Sequence, residues 1–222
     1  PCPLEARGSA ATWIDGRLIQ WISTQHAQGV RNEVVKANKI DAEQVRIITP
    51  DVGGGFGAKI SAYSEELLLG DISKNVGKPV RWRETRSESM VGLGHGRAQL
   101  QYITIGGTKE GRVTAYQLNA IQDSGGWVDV GTVLAPFMTR PMAQGVYDIE
   151  KMECRTTSVV TNTTPIVAYR GAGRPEATAA IERAMDLFAA EIGKDPVDVR
   201  RMNLIPKFMQ PYATKIGHVY DV

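Results

Sequence analysis

The most restrictive feature of the sequence is a run of glycines interrupted by one aromatic residue, Gly53-Gly54-Gly55-Phe56-Gly57. It follows an apolar segment, residues 45–49, that is typical of a strand and ends at Pro50. Residues without a Cβ let the backbone approach a ligand closely and direct successive N–H groups at oxygen atoms. The run therefore predicts a binding loop, and the alternative is a glycine-rich connection that Phe56 anchors to the core.

Strands and helices are mixed along the chain without strict alternation. Asp15-Gly16, inside an apolar stretch over 9–24, predicts a two-residue hairpin turn. Hydrophobic spacing predicts helices over 27–38, 62–76, 175–192 and 195–203, and strands over 45–49, 79–84, 97–105, 112–123 and 153–160. This order predicts an α+β fold, in which mixed sheets and hairpins carry helices packed on them.

A second glycine loop has a setting similar to the first. Thr164-Pro165 follows a predicted strand and precedes Arg170-Gly171-Ala172-Gly173, as Thr49-Pro50 precedes the first loop. Each loop leads to a predicted helix, and the N–H groups of a helix N-terminus favour an anion. Two alternatives stay open: both loops converge on one anionic ligand, with Arg170 contacting it or bracing its loop, or the Thr-Pro pairs merely end strands and Arg170 is solvated.

Composition narrows the classes of function. The 222 residues carry 26 basic and 24 acidic side chains, mixed along the chain, so we expect no binding to nucleic acid or to a membrane surface. No apolar run reaches the roughly 18 residues of a membrane span. Cys2 and Cys154 match no metal or redox spacing, which favours reduced thiols and a cytoplasmic protein. The scattered histidines predict no zinc or nucleophile site: His26, His95 and His218.

A dinucleotide-binding loop is an alternative for the first glycine run. Gly53, Gly55 and Ala58 fit the spacing of the dinucleotide fingerprint, and Glu84 ends the next predicted strand. A hairpin and a helix precede the loop, however, whereas the fingerprint belongs to the first strand of its domain.

Seven segments, in this order, resemble the large subunit of the molybdenum hydroxylases, the family of xanthine oxidase and aerobic carbon monoxide dehydrogenase. They are Pro3-Leu4-Glu5, Ser23-Thr24-Gln25, Asp51 to Lys59, Pro79-Val80-Arg81-Trp82, His95-Gly96-Arg97, Ala168-Tyr169-Arg170-Gly171, and Asp195-Pro196 with Arg200 and Asn203. They cover nearly the whole chain, and the glycine-phenylalanine motif at its spacing from Gln25 is specific to the family. The Ala-Tyr-Arg loop and the Gly57-Ala58-Lys59 tail are most similar to the carbon monoxide dehydrogenase-like branch.

The resemblance implies a molybdopterin cofactor, in its cytosine dinucleotide form. Gln25 would donate its amide to an oxygen ligand of molybdenum, and the first loop, at Phe56 and Gly57, would present backbone N–H groups to the same ligands. The second loop, at Arg170 and Gly171, would pass beside the metal and shape the substrate pocket. No side chain would bind the metal directly. The implied site residues are Gln25, Gly54, Gly55, Phe56, Gly57, Arg170 and Gly171. Gln25, Phe56 and Arg170 would then face one pocket.

The resemblance also implies a larger assembly. Residues 1–222 would be the N-terminal part of the molybdopterin-binding region, an excerpt of a larger fold, with two sub-lobes at about 1–90 plus 150–222 and at 91–149. The implied partners are the rest of the large subunit, an iron–sulfur small subunit, an FAD-bearing medium subunit and a small-molecule substrate. Because the family's catalytic glutamate lies in a Gly-x-Gly-Glu segment with no counterpart here, we expect the chain alone to be inactive and to hold the cofactor weakly or not at all.

Three departures from the family bear on the substrate. Gly171 stands where carbon monoxide dehydrogenases have a copper-binding cysteine, and Ile60 and Met138 stand where purine hydroxylases have a glutamate and an arginine. These three residues disfavour carbon monoxide and xanthine as substrates. An aldehyde or a nitrogen heterocycle is therefore the expected substrate. Two other functions stay open: a nucleotide-binding dehydrogenase domain built on Gly53 to Ala58, and a non-catalytic scaffold of the same fold.

Overall fold

A computed structural model describes residues 1–221 and divides the chain into two compact units, Pro1–Gly94 and His95–Val222. Each unit combines a β-sheet with helices, which confirms the predicted α+β class. The boundary differs from the predicted sub-lobes, because residues 150–222 belong to the same unit as 95–149. The physical reason is a long parallel pairing that joins residues 151–160 to residues 115–125.

The first unit is built on a four-stranded sheet. Its elements are β1 (Gly8–Ile14), β2 (Arg17–Ile22), α1 (Ala27–Asn38), β3 (Val45–Ile48), α2 (Ser64–Val76), β4 (Val80–Arg83) and α3 (Arg86–Gly92). The strand order is β3-β2-β1-β4, with β2 parallel to β3 and the other two pairs antiparallel. Asp15 and Gly16 join β1 to β2 with positive φ angles of 49° and 75°, which confirms the predicted hairpin turn.

The helices of the first unit bury one apolar face. Val30 and Val34 of α1 and Leu69 of α2 pack with Leu18 and Ile22 of β2 in one core cluster. The turn between β2 and α1, and the loop between β3 and α2, thus connect elements that pack in one core. Both segments carry residues of the candidate site.

A buried ion pair fastens the outer strand β4 to β1. Arg7, just before β1, donates from its backbone N–H and its Nε to the Glu84 carboxylate at 3.1 and 3.0 Å, and Glu84 N–H donates to the Arg7 carbonyl at 3.0 Å. The two side chains are 2% and 0% exposed. The Arg7 guanidinium also lies over the Tyr63 ring, 3.9 Å from its centroid. Glu84 is therefore a structural ion-pair partner, because its carboxylate is enclosed and already neutralised.

The second unit is built on a three-stranded sheet with helices packed on it. Its elements are β5 (Gln99–Gly107), β6 (Val113–Gly125), α4 (Val130–Met142), β7 (Lys151–Val160), α5 (Arg174–Glu191), α6 (Pro196–Asn203), β8 (Tyr212–Ala213) and β9 (Val219–Tyr220). The order is β5-β6-β7, antiparallel then parallel, and β8 and β9 form a separate pair. Ile181 and Met185 of α5 pack with Tyr116 and Leu118 of β6 in the core.

Helix α4 is the largest element that the sequence did not predict, because Pro136 and Pro141 lie inside it. Proline cannot donate to the carbonyl one turn earlier, so a helix containing it leaves that carbonyl without its usual partner. For Pro136 that carbonyl belongs to Thr132, and it accepts instead from the Ser158 hydroxyl of β7 at 3.2 Å. The hydrogen bond from Ser158 thus replaces the helical hydrogen bond that Pro136 cannot donate.

The buried carboxyl of Glu66 in α2 makes the stability of the first unit depend on pH. Burial raises the pKa of Glu66 from 4.5 to about 7, although the Tyr63 N–H and Arg7 oppose the shift. Because the folded state binds the proton more tightly than the unfolded chain, the free energy of unfolding falls as pH rises from 4.5 to about 7. A shift of that size corresponds to about 3 kcal/mol.

We predict that Glu66→Gln removes this fall, because a neutral amide keeps the acceptor for the Tyr63 N–H and needs no proton. Urea unfolding, followed by tryptophan fluorescence, measures the free energy of unfolding at pH 4.5 and at pH 8. Asp71→Asn, at an exposed position of the same helix, is the control and should keep the wild-type pH dependence. An unchanged pH dependence in Glu66→Gln would contradict the assignment.

Candidate functional site

The side chain of Gln25 is held by the loop that follows β3. Its Oε1 accepts from the backbone N–H groups of Gly57 at 2.9 Å and Lys59 at 3.3 Å, and the backbone N–H of Gln25 donates to the Lys59 carbonyl at 3.0 Å. Two backbone donors on Oε1 fix which end of the amide carries nitrogen. The exposed Nε2 has no acceptor among residues 1–221. Gln25 is therefore a fixed amide donor at the surface of the first unit.

Three glycines of the loop are required by this geometry. A Cβ on Gly55 would lie 2.4 Å from Gln25 Oε1, and a Cβ on Gly53 would lie 2.5 Å from Glu5 Cβ, both closer than real contacts allow. Gly57 has a φ of 101°, a conformation that side chains rarely adopt. The run thus lets the backbone wrap closely around Gln25 and Glu5.

The backbone donors of the loop differ from the expectation at one position. Gly57 donates to Gln25 Oε1, so it orients that side chain instead of facing outward. The N–H groups of Gly54 and Gly55, by contrast, have no acceptor within residues 1–221. Buried backbone donors are nearly always paired, and Gly55 is buried, so its N–H group favours an external acceptor.

Phe56 lies at the surface of the loop and not in the core. Its φ is 52°, a left-handed conformation that is costly for a bulky residue, and its side chain is 43% exposed. The ring passes over Gly54, since a Cβ there would lie 2.8 Å from Phe56 Cε2. This position disfavours the alternative in which Phe56 only anchors the loop in the core.

A buried lysine supports the loop from below. Lys59 Nζ donates to the Glu5 carbonyl at 2.9 Å, to Glu5 Oε2 at 2.8 Å and to Ser23 Oγ at 2.9 Å, with its side chain 1% exposed. Burial by itself would raise the pKa of Glu5, but hydrogen bonds from Lys59, Ser23 and the Gly53 N–H outweigh it and lower that pKa. The carboxylate therefore stays charged opposite the ammonium, and the pair joins three chain segments.

The sequence placed Glu5, Ser23 and Lys59 inside family motifs without giving them a role. Their contacts join residues 18 to 54 positions apart, so no local pattern reveals them. A lysine following a glycine loop and a glutamate near the N-terminus were the only signals available.

The second loop lies in the second unit and is also shaped by glycines. Gly171 has a φ of 91°, and its N–H has no acceptor in the described part of the chain. A Cβ on Gly173 would lie 2.0 Å from the Ala135 carbonyl of α4. Arg170 is exposed, and its carbonyl accepts from Arg97 Nη2 at 2.6 Å. The loop thus turns tightly into α5 and presents Arg170 at the surface.

The structure therefore brings Gln25 together with Gly54, Gly55, Phe56 and Gly57 in the first unit. Arg170 and Gly171 form their own loop in the second unit. A single pocket that Gln25, Phe56 and Arg170 all face stays a prediction.

The dinucleotide-binding alternative is wrong for this fold. Residues 59–63 separate Ala58 from the start of α2, so the glycines do not open the helix. Strands β3 and β4 lie at opposite edges of the sheet, and Glu84 is enclosed by Arg7. The fingerprint instead needs its acidic residue on the strand beside the first, free to bind a ribose.

Within residues 1–221, no cluster of three or more histidine, cysteine, aspartate or glutamate side chains is arranged to hold a metal ion. In the same residues no helix is both long and apolar enough to cross a bilayer.

Comparison with known proteins gives one family. The sequence profile described as molybdopterin cofactor-binding domain matches residues 1–204. The nicotine 6-hydroxylase large subunit of Paenarthrobacter nicotinovorans is 34% identical over 99% of this chain and 27% of its own length. The carbon monoxide dehydrogenase large chain of Hydrogenophaga pseudoflava is 33% identical over 100% of this chain and 28% of its own length. The chain thus spans about a quarter of these relatives.

Solved structures give the same fold. Quinoline 2-oxidoreductase from Pseudomonas putida 86 superposes with a TM-score of 0.91 at 31% identity, over 99% of this chain and 28% of that chain. The aldehyde oxidoreductase from Desulfovibrio gigas, at 22% identity and a TM-score of 0.79 over 92% of this chain and 22% of that chain, shares the fold.

We predict that Gly55→Ala displaces the Gln25 side chain, because the new Cβ would lie only 2.4 Å from Oε1. The amides of Gly57 and Lys59 then lose their acceptor and should exchange hydrogen roughly tenfold faster. Overpacking of this kind lowers the free energy of unfolding by about 1–3 kcal/mol. Hydrogen exchange with mass spectrometry on peptides covering 55–60 measures the first effect.

Gly8→Ala is the matched control, since a Cβ there meets only the Trp82 carbonyl, at 3.7 Å. It should leave exchange at 55–60 unchanged. Equal exchange in the wild type and Gly55→Ala would show that Gln25 is not held by the loop.

Proposed function

This chain belongs to the family of molybdopterin cofactor-binding domains, and on that basis we propose that Gln25 and the two glycine loops hold the molybdenum cofactor of an oxidoreductase large subunit. The observation that carries the proposal is the amide of the exposed Gln25, whose Oε1 accepts from two backbone donors while its Nε2 has no acceptor among residues 1–221.

The donors of the site fit the chemistry of the cofactor. Oxo, thiolate and phosphate ligands are electron-rich, and the first loop offers the Gln25 Nε2 and the N–H groups of Gly54 and Gly55. These dipoles are fixed before a ligand arrives, so they stabilise negative charge without reorganisation. The molybdenum cofactor, when bound, supplies the redox chemistry, and the chain supplies binding and orientation.

The second loop is proposed to complete the site. Arg170 offers an exposed guanidinium and Gly171 an N–H group without a described acceptor, and both suit an anionic ligand or a polar substrate. Under this proposal Gln25, Phe56 and Arg170 face one pocket in the complete protein. Phe56, with an exposed ring, would form an apolar wall there.

We propose a nitrogen heterocycle as the substrate, with an aldehyde as the second candidate. The proteins named nicotine 6-hydroxylase and quinoline 2-oxidoreductase are among the relatives with the highest similarity. An aldehyde oxidoreductase subunit of Escherichia coli is 29% identical. Carbon monoxide is disfavoured by Gly171, which has no thiol for copper, and purines are disfavoured by Ile60 and Met138, which have no charge.

The reaction is proposed for the complete protein, since the chain spans about a quarter of its relatives. The partners of this chain would be the rest of the large subunit, an iron–sulfur subunit and an FAD subunit. We propose that the complex lies in the cytoplasm. A complex with several subunits is supported by the relative named 6-hydroxypseudooxynicotine dehydrogenase complex subunit gamma. The cofactor would carry a cytosine dinucleotide, and residues 1–222 alone would be inactive.

The test is Gln25→Ala in the complete protein that carries this sequence. Removing a hydrogen bond of this kind beside a metal group typically costs 10–100-fold in affinity or activity, so we expect a fall of about that size in bound molybdenum or in turnover of quinoline. Mass spectrometry measures the molybdenum bound per protein, and absorbance measures the turnover of quinoline.

Gln28→Ala is the matched control, because Gln28 is an exposed glutamine on α1 outside the loop. It should keep both properties. A Gln25→Ala protein with full molybdenum content and undiminished turnover would overturn the proposed role of the amide.

A further inference from the structure

The segment before β5 has an unusual backbone. Arg97 and Ala98 are consecutive non-glycine residues with φ angles of 72° and 60°, a left-handed conformation that such residues rarely adopt. The conformation is fixed by β6, because the buried Gln122 donates from Nε2 to the Arg97 carbonyl at 2.6 Å and Asp123 N–H donates to the Ala98 carbonyl at 2.9 Å. Strain that surroundings maintain in this way often marks a functional constraint.

The same segment lies directly against the second loop. The Val167 N–H donates to the His95 carbonyl at 2.8 Å, and a Cβ on Gly96 would lie 2.3 Å from Tyr169 Cβ. Only glycine allows this approach. The segment His95-Gly96-Arg97 thus brings the Arg97 side chain to the loop.

The Arg97 guanidinium then joins both ends of the second loop. Nη2 donates to the Arg170 carbonyl at 2.6 Å, and Nη1 donates to the Glu176 carboxylate at 3.1 and 3.2 Å. Its carbon lies 4.6 Å from the centroid of the Tyr169 ring. Glu176, in the first turn of α5, accepts from the Gly173 N–H at 2.9 Å. One planar cation therefore contacts the loop before Gly171 and, through Glu176, after it.

The contacts of Arg97 concern the second loop and not the core of the unit. The ion pair between Arg97 and Glu176 is partly buried, since their side chains are 33% and 8% exposed. The Arg97 guanidinium binds a loop carbonyl, and the Glu176 carboxylate is itself bound to the loop. The contacts of Arg97 are thus made with the loop that carries Arg170 and Gly171 and with the helix turn that follows it.

We propose that Arg97 is a positioning residue, which holds the second loop in the conformation that presents Arg170 and the Gly171 N–H to the bound cofactor or substrate. This inference rests on the proposed function of that loop. Lysine cannot replace Arg97, because an ammonium lacks the planar fork that reaches the Arg170 carbonyl and both Glu176 oxygens together.

The test uses Arg97→Lys and Arg97→Gln in the complete protein. We expect the peptide covering 167–174 to exchange hydrogen roughly tenfold faster in both variants. Arg97→Lys keeps a positive charge opposite the buried Glu176 carboxylate, so its free energy of unfolding should change less than that of Arg97→Gln, which leaves this carboxylate without a cation. In the molybdenum-loaded protein, we expect kcat/KM for quinoline to fall about 10–100-fold at retained molybdenum content, and the Mo(V) EPR spectrum of the reduced protein to shift. A purely structural residue would lower molybdenum content and stability together and leave the EPR spectrum of the remaining sites unchanged.

Arg112→Gln is the matched control, since Arg112 also combines a carboxylate, Asp148, with a carbonyl, that of Met202, away from the loop. It should leave exchange at 167–174 and the EPR spectrum unchanged. Wild-type exchange at 167–174 in Arg97→Lys, which keeps the charge and the fold, would overturn the inference.

The two proposals fail in different ways. A wild-type complete protein that binds no molybdenum would refute the proposed function, whereas the exchange result would still decide whether Arg97 holds the loop. Faster loop exchange with an unchanged EPR spectrum and unchanged kcat/KM would refute the positioning role alone.

Discussion

The interaction on which the site depends is the pair of hydrogen bonds that Gln25 Oε1 accepts from Gly57 and Lys59. A glutamine side chain can present either end of its amide, and these two donors select the nitrogen end for the surface. The selection requires the missing Cβ of Gly55, because any side chain there would displace Oε1. The contact with Oε1 thus explains Gly55, whereas Gly53 is required by the approach to Glu5 and Gly57 by its positive φ angle.

The support beneath that interaction is electrostatic. Lys59 is buried, and a buried ammonium is tolerated only when oxygen atoms surround it. Glu5 and Ser23 provide them, and the same carboxylate binds the Gly53 N–H at the other end of the run. The loop is therefore fixed at both ends before any ligand binds, which is the condition under which dipoles contribute most to binding an anion. The second unit follows the same principle with Arg97 and Glu176 around Arg170.

The sequence predicted features that depend on neighbouring residues. The Asp15-Gly16 turn and helix α1 were predicted within a residue of their observed bounds, because turn chemistry and periodicity are local. Helix α4 was missed because the partner that accommodates Pro136 is Ser158, in another strand. Local pattern left open the alternative that gave Glu84 a place in a nucleotide site, because its ion-pair partner, Arg7, lies 77 residues away. The family resemblance supplied Gln25 and Phe56, whereas the roles of Lys59 and Glu5 in supporting the loop emerged only from the structure.

The most direct test of this account is an experimental structure of the complete, cofactor-loaded protein. The account predicts Gln25 Nε2 within about 3.2 Å of an oxygen or sulfur ligand of molybdenum, while Oε1 keeps its bonds to Gly57 and Lys59. A cofactor bound away from Gln25, or a Gln25 side chain turned off the loop in the loaded protein, would contradict it.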